Sequence, residues 1–205
     1  MNSQHEISIA AEPYQLFQQW YDEAKKGAEG VNKHEPDAVA LATSTSDGKP
    51  SLRFVLFKGI TRQLFVFHTN YDSRKGKELL ANPHAALAFH WSVPERQVRI
   101  EGSVSKLTDA ESLAYWNSRP FESQISALAS SQSEAIVSRE SLEKRVQELR
   151  EKYREKGTAP RPPHWGGFGI SPERIEFWEA RSNRLHDRVS YVKSGSGWKA
   201  ARLSP

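Results

Sequence analysis

The 205-residue chain contains no cysteine. Disulfides, thiolate nucleophiles and cysteine-ligated metal sites are excluded at once. No stretch approaches the ~18 apolar residues that a membrane helix requires. Residues 1–12 lack a basic stretch followed by an apolar one, so they do not read as a secretory signal. A cytoplasmic protein with no membrane partner is expected. The sequence also lacks G-x-G-x-x-G, a Walker A loop, a G-x-S-x-G elbow and H-E-x-x-H. Its seven histidines show no metal-ligand spacing. His84 and His90 bracket an apolar run and read as structural, so no metal is expected. Internal repeats and low-complexity tracts are absent, and no βαβ alternation points to a Rossmann arrangement.

What is present suits a folded domain. Hydrophobic residues make up 37% of the chain and include nine Phe and six Trp, enough for a core. One domain is expected over residues 13–205, preceded by a flexible segment, 1–12. The net charge of +4 leaves two readings open, a solvated surface or an anionic ligand. Nucleic acid is not an expected partner, because Lys and Arg are mixed with Glu rather than gathered in a stripe.

Periodicity predicts a helix over 13–26, with Pro13 in its first turn and Leu16, Phe17, Trp20 and Ala24 on one face. Strands are predicted at 39–45 and 51–58, joined by a turn at Asp47-Gly48. A turn near Gly59 leads to a strand at 63–69, and a short helix follows Ser73 and ends before Pro83. Strands at 85–91 and 97–107 flank a turn around Pro94. Thr108 and Glu111 have the spacing of a capping box, so a helix opens there. A helix over 138–156 carries Leu142, Val146, Leu149 and Tyr153 as its apolar stripe. Strands at 174–179 and 184–192 and a last strand near Trp198 complete the chain. The expected fold class is mainly β with peripheral helices (α+β), a small barrel with helices outside.

Three groups of residues ask for an anion. Ser73, Arg74 and Lys75 start a helix, where free N–H groups and partial positive charge already favour an anion over cations. Arg184, His186 and Arg188 would share one face if that stretch is a strand. Tyr115 and Arg119, four apart, share a helix face, and Ser123 follows the break at Arg119-Pro120. Arginine can fork two phosphate oxygens while the hydroxyls donate to others. In each case an ordinary wet surface is the competing reading. Composition and spacing alone leave the reaction open.

The chain resembles the pyridoxine (pyridoxamine) 5'-phosphate oxidase family from about residue 13 to its end. The resemblance is carried, in order, by LRFVLFK (52–58), TNYDSRKGKEL (69–79), ERQVRIEG (95–102), NSRPFESQI (117–125), HWGGF (164–168), IEFWEA (175–180), RLHDR (184–188) and a closing RLSP. It implies a split β-barrel working as a homodimer, with FMN held between the subunits. Arg53, Phe54, Val55, Leu56, Phe57 and Lys58 would line the flavin, and His68, Thr69, Arg74, Lys75, Gln97, Gln132, Ser133, Trp178 and Arg188 would complete its site. Lys58, Tyr115, Arg119 and Ser123 would hold the substrate phosphate. Arg184 and His186 would sit over the pyridine ring as the catalytic pair. The implied reaction oxidises pyridoxine 5'-phosphate or pyridoxamine 5'-phosphate to pyridoxal 5'-phosphate, with O2 as acceptor, H2O2 as product, and ammonia from the amine. His68 stands where the family often has Tyr or Phe. Alternatives are a flavin oxidase of the same fold on another substrate, of the phenazine-pathway type, or a non-catalytic flavin or pyridoxal-phosphate binding protein.

Overall fold

The computed structural model describes residues 6–9, 12–28 and 36–205. The chain begins with α1 (Pro13–Gly27) and continues through β1 (Ala38–Ser44), β2 (Pro50–Thr61), β3 (Leu64–Asn70), α2 (Arg74–Ala81), β4 (His84–Trp91) and β5 (Arg96–Lys106). Next come α3 (Asp109–Ser118), α4 (Phe121–Ala129), α5 (Arg139–Tyr153), β6 (Trp165–Glu179), β7 (Asp187–Ser194) and β8 (Gly197–Arg202). All strand pairings are antiparallel. The sheet runs β3-β2-β1-β4-β5-β6-β7-β8, and a further pairing of β3 with β6 closes six of the strands into a barrel. Closure removes the β3 edge that would otherwise template association, while β8 remains the outer edge beyond β7.

β6 makes the split. Its first half, Trp165 to Ile170, pairs with β3, and its second half, Arg174 to Glu179, pairs with β7, while β5 follows both. The first half carries almost no β signal in the sequence, being glycine-rich. The reason is close packing. A Cβ on Gly166 would lie 2.1 Å from the Tyr71 hydroxyl, so a side chain there is excluded.

Alternation along the strands fills the barrel. Val98, Phe177 and Val189 point inward and are fully buried, while Gln97, Trp178 and Arg188 are paired across the same strands on the outer face. α1 seats its apolar stripe on the barrel. The Phe17 ring meets Phe57, Phe65 and Phe89 edge-on with centroids 4.9–5.5 Å apart, and Trp20 meets Phe177 at 5.2 Å. Truncating a buried Phe of this kind costs about 3–5 kcal/mol. Of the expected flexible segment, residues 6–9 and 12 are described. Ile7 is buried and donates its N–H to Asp187. Residues 1–5, 10 and 11 lie outside the described residues.

Several expectations need correction. β2 does not turn at Gly59. It continues to Thr61, and the turn falls at Arg62 and Gln63, both with positive φ. Gly59, at φ +93°, instead accommodates the register shift between Phe57 and Ile60. The strand expected over 184–192 starts at Asp187, because Asn183 and Arg184 adopt left-handed φ of 57° and 60° within a short 3-10 turn. Arg184, His186 and Arg188 therefore do not share a strand face. Tyr115 and Arg119 are not both inside a helix, since Arg119 is the C-cap of α3 with extended backbone and α4 begins two residues later. α4 itself had no sequence prediction. The Thr108–Glu111 capping box is present, with each residue's side chain bonded to the other's backbone N–H. The α5 stripe is half-buried rather than buried, and its other faces are exposed. Among the described residues no helix is long and apolar enough to cross a membrane.

Candidate active site

β2, β3, α2 and the α3–α4 corner converge on a cavity of about 550 Å³. Lys58, His68, Thr69, Lys75, Tyr115, Arg119, Ser123 and Gln132 line it, with Phe54, Val55 and Leu56 along one wall. A neighbouring cavity of about 480 Å³ shares Phe54, Lys75 and Gln132 with the first and adds Arg53, Arg74 and Ser133. Phe57 is the fully core-packed residue of the 53–58 run, with half-buried Val55 packed against the same core, so only the Phe57 backbone is available to a ligand.

The two cavities differ in how their cations are held. In the second, Ser73 caps α2 by accepting from the Gly76 N–H. Arg74 pairs with Glu78 at 2.9 Å, one turn on. Lys75 is buried and directs its ammonium at Thr69, Ser73 and Gln132, at 3.2–3.3 Å. Both cations at the start of α2, where the sequence asks for an anion, thus also have partners inside the chain. Burial, with the Arg53 charge next, lowers the Lys75 pKa to about 8. Glu78 is buried too. Burial pushes its pKa up, but hydrogen bonds from Ser51, Thr43 and Arg74 and the charge of Arg53 outweigh it and hold the value at about 2.

In the first cavity the cations have no carboxylate. Among the described residues neither Lys58 nor Arg119 forms a salt bridge, and Glu122, which also lines the cavity, is tied to Arg150 at 2.7 Å. The Arg119 guanidinium lies over the rings of Trp165 and Trp116, at 4.7 and 5.1 Å, and its Nη1 is buried with no hydrogen-bond partner. Burial lowers its pKa. A buried guanidinium edge left open is costly, by about 1–3 kcal/mol, and can accept an anion. Ser123 and Tyr115 add hydroxyls beside it. His68 lies against Tyr115 and Trp165, with centroids 3.9 and 5.4 Å apart, and both its ring nitrogens are buried and unpartnered.

The remaining expected site residues lie elsewhere. Gln97, Trp178 and Arg188 are cross-strand neighbours on β5, β6 and β7. His186 packs on Trp178 at 4.6 Å, and Arg188 pairs with Glu176 at 2.8 Å. Arg184 is exposed in the 3-10 turn. None of these five lines the cavities described above. Within one chain the expected site is therefore two separate clusters. Sequence reasoning missed Glu78, whose carboxylate holds Arg53 and Arg74. Its spacing four residues after Arg74 was the available signal.

A six-stranded antiparallel barrel with a cavity at its wall lined by cations and aromatic rings defines a split-barrel protein. The particular family follows from comparison with known proteins. Residues 28–153 match the model described as pyridoxamine 5'-phosphate oxidase, and residues 165–205 match that of the pyridoxine 5'-phosphate oxidase C-terminal dimerisation region. The pyridoxine/pyridoxamine 5'-phosphate oxidase of Rhodospirillum rubrum is 51% identical over 199 residues, covering 95% of this chain and 96% of its own. That of Cupriavidus metallidurans is 49% identical over 201 residues, 98% of this chain and 92% of its own. Among solved structures, PhzG from Burkholderia lata in complex with tetrahydrophenazine-1-carboxylic acid superposes with a TM-score of 0.88 at 35% identity, covering 96% of this chain and 94% of that one. A pyridoxamine 5'-phosphate oxidase-related, FMN binding protein from Nostoc punctiforme shares the fold, with a TM-score of 0.72 at 16% identity over 97% of this chain and 99% of that one. The chain belongs to the pyridoxamine 5'-phosphate oxidase family, and it is an oxidoreductase.

Proposed function

We propose that the protein oxidises pyridoxine 5'-phosphate and pyridoxamine 5'-phosphate to pyridoxal 5'-phosphate, with FMN as cofactor. The observation that carries this reading is the pair of adjoining cation-lined cavities, one of which leaves Lys58 and Arg119 without a carboxylate. Each cavity suits one phosphate. In the first, Lys58, Tyr115, Arg119 and Ser123 hold the substrate phosphate. In the second, Arg53, Arg74, Lys75, Ser133 and the N-terminus of α2 hold that of FMN, with Thr69 and Gln132 fixing Lys75. The residues fit the cofactor: the cations face an open space, and the β2 backbone from Arg53 to Lys58 offers a flat wall for a ring system.

Held there, FMN would supply the redox chemistry, serving as acceptor for hydride equivalents from the substrate C4' carbon, with O2 as final acceptor and H2O2 as product. The protein's own part is placement. Anchoring both phosphates fixes the reacting carbon against the ring, and such positioning contributes several kcal/mol to the barrier reduction. Arg184 and His186 complete the substrate site, with Gln97, Trp178 and Arg188 completing the cofactor site. They lie outside this chain's cavities, so a second subunit supplies them in a homodimer. The match of residues 165–205 to a dimerisation region supports that arrangement.

A second reading is favoured by one observation, the likeness to PhzG in complex with a tricyclic carboxylic acid. The Lys58, Tyr115, Arg119 and Ser123 group, aimed at a phosphate, supports the first reading over it. Oxygen uptake and peroxide formation by FMN-loaded protein test both. Pyridoxamine 5'-phosphate should be oxidised and Arg119→Ala should raise its KM by at least about tenfold, the loss of one charged contact. Uptake with a reduced tricyclic acid but not with the phosphate ester would reverse the assignment, and an unchanged KM would remove Arg119 from the phosphate site.

A further inference from the structure

His68 lines the first cavity, yet it has no polar partner at either nitrogen. A neutral imidazole carries one donor and one acceptor. Leaving both buried and unpaired costs the fold something at each atom and gives nothing back structurally. The ring is held in place by stacking alone, nearly parallel to Tyr115 and Trp165 at interplanar angles of 20° and 16°. A phenyl ring would stack equally well, so packing does not explain the nitrogens.

Apart from one carboxylate, the charges around the ring are positive. β2 contributes Lys58, the end of α3 contributes Arg119, and α2 contributes Lys75, which binds the adjacent Thr69. α3 also contributes the neutral Tyr115, and β6 the uncharged Trp165. α4 contributes Glu122, already paired with Arg150. Burial first, then Lys58 and Arg119, lower the His68 pKa to about 4, so in the ligand-free cavity the ring is neutral. A dianion placed between Lys58 and Arg119 would reverse the field that repels the proton.

We propose that His68 is a proton-linked ligand-binding residue: an imidazole nitrogen takes a proton from solvent as a phosphate ester enters the cavity, and returns it on release. The cradle thereby acquires a third cation only while the anion is present. This rests on the reading of the first cavity as a phosphate site. Its consequence is that affinity rises as pH falls toward the ligand-free value, by up to about tenfold per pH unit. Rising pH then favours release.

Inorganic sulfate is the suitable probe, because it stays dianionic across the range and any linkage belongs to the protein. FMN-loaded protein would be titrated calorimetrically with sulfate from about pH 7.5 to about pH 5.5, in buffers of different ionisation enthalpy. The expected result is net proton uptake growing toward acid pH, with sulfate affinity rising at least about fivefold over that range. His68→Phe keeps the stacking and should bind sulfate with flat affinity and no uptake. Sulfate binding to the native protein without proton uptake would overturn the role of His68 and leave the phosphate site standing, and this arm needs no variant. Equal uptake by His68→Phe would do the same. Failure of sulfate to bind, or to compete with pyridoxamine 5'-phosphate, would overturn both.

Discussion

The Arg53 guanidinium on β2 lies 3.3 Å from the buried carboxylate of Glu78 on α2. The same carboxylate accepts from Arg74 at 2.9 Å and from Thr43 and Ser51 at 2.5 Å each. Thr43 and Ser51 in turn accept from Arg53. One buried acid thus ties β1, β2 and α2 together and orients two of the cations that face the second cavity.

Removing that acid should destabilise the fold. Glu78→Ala removes the carboxylate shared by Arg53, Arg74, Thr43 and Ser51, a loss of about 3 kcal/mol, read from urea midpoints. The pH dependence has a definite sign. The folded pKa of about 2 lies below the ordinary value for a free Glu. Its stabilisation is therefore complete above the unfolded value and is lost as pH falls toward 2. Glu78→Gln should flatten the stability curve in that acid window, and an unchanged curve would show that other groups control it.

Lys75 should govern the alkaline side of cofactor binding. With its pKa lowered to about 8, it loses its charge in the ligand-free protein as pH rises through that value. FMN affinity should weaken above pH 8, by up to about tenfold per unit until the bound-state value is reached. Lys75→Arg keeps its charge throughout and should remove the alkaline decline, measured by quenching of flavin fluorescence.

Arg119 should trade stability for function. Its open Nη1 is a cost to the ligand-free fold, offset in part by the two indole faces beneath it. Arg119→Met should leave the unliganded protein as stable or more stable by up to about 1 kcal/mol. Calorimetric melting without ligand checks this, and a clear loss of stability would mean the guanidinium has a structural role instead.

The outer face of β2 should be a subunit contact. Leu52, Phe54 and Leu56 are exposed by 67%, 73% and 48%, a row of apolar side chains beside both cavities. Phe54→Asp should raise the dimer dissociation constant by at least about tenfold, seen by sedimentation, and should weaken FMN binding in parallel. A dimer of native affinity would place the interface elsewhere.

Much of the fold was legible because its signals are short-range. Pro13 and the spacing of Leu16, Phe17, Trp20 and Ala24 mark α1, and Thr108 with Glu111 marks the start of α3. Asp47-Gly48 marks the β1–β2 turn, and the chain does hydrogen-bond back there from Gly48 to Thr45. The first half of β6 was not legible. Its glycines weaken any strand signal, and distant residues require them: Tyr71 crowds Gly166, Leu107 crowds Gly167 and Leu64 crowds Gly169. The break at Asn183 and Arg184 was hidden too, because alternating side chains suggested a strand that the left-handed backbone interrupts.

By itself the sequence determined four of the five helices, most strands and the supply of cations, since each depends on residues a few positions apart. It also carried the motifs by which the family is recognised. Tertiary structure decided which cations are already partnered. Glu78 reaches Arg53 across 25 positions, whereas Arg119 and His68 meet aromatic rings and no acceptor. It also decided that the expected site lies in two separate places on one chain. The aromatic seat of His68 and Arg119 comes from barrel closure, which sets Trp165 of β6 beside β3 through a contact between strands about a hundred residues apart that leaves no periodic trace in either segment.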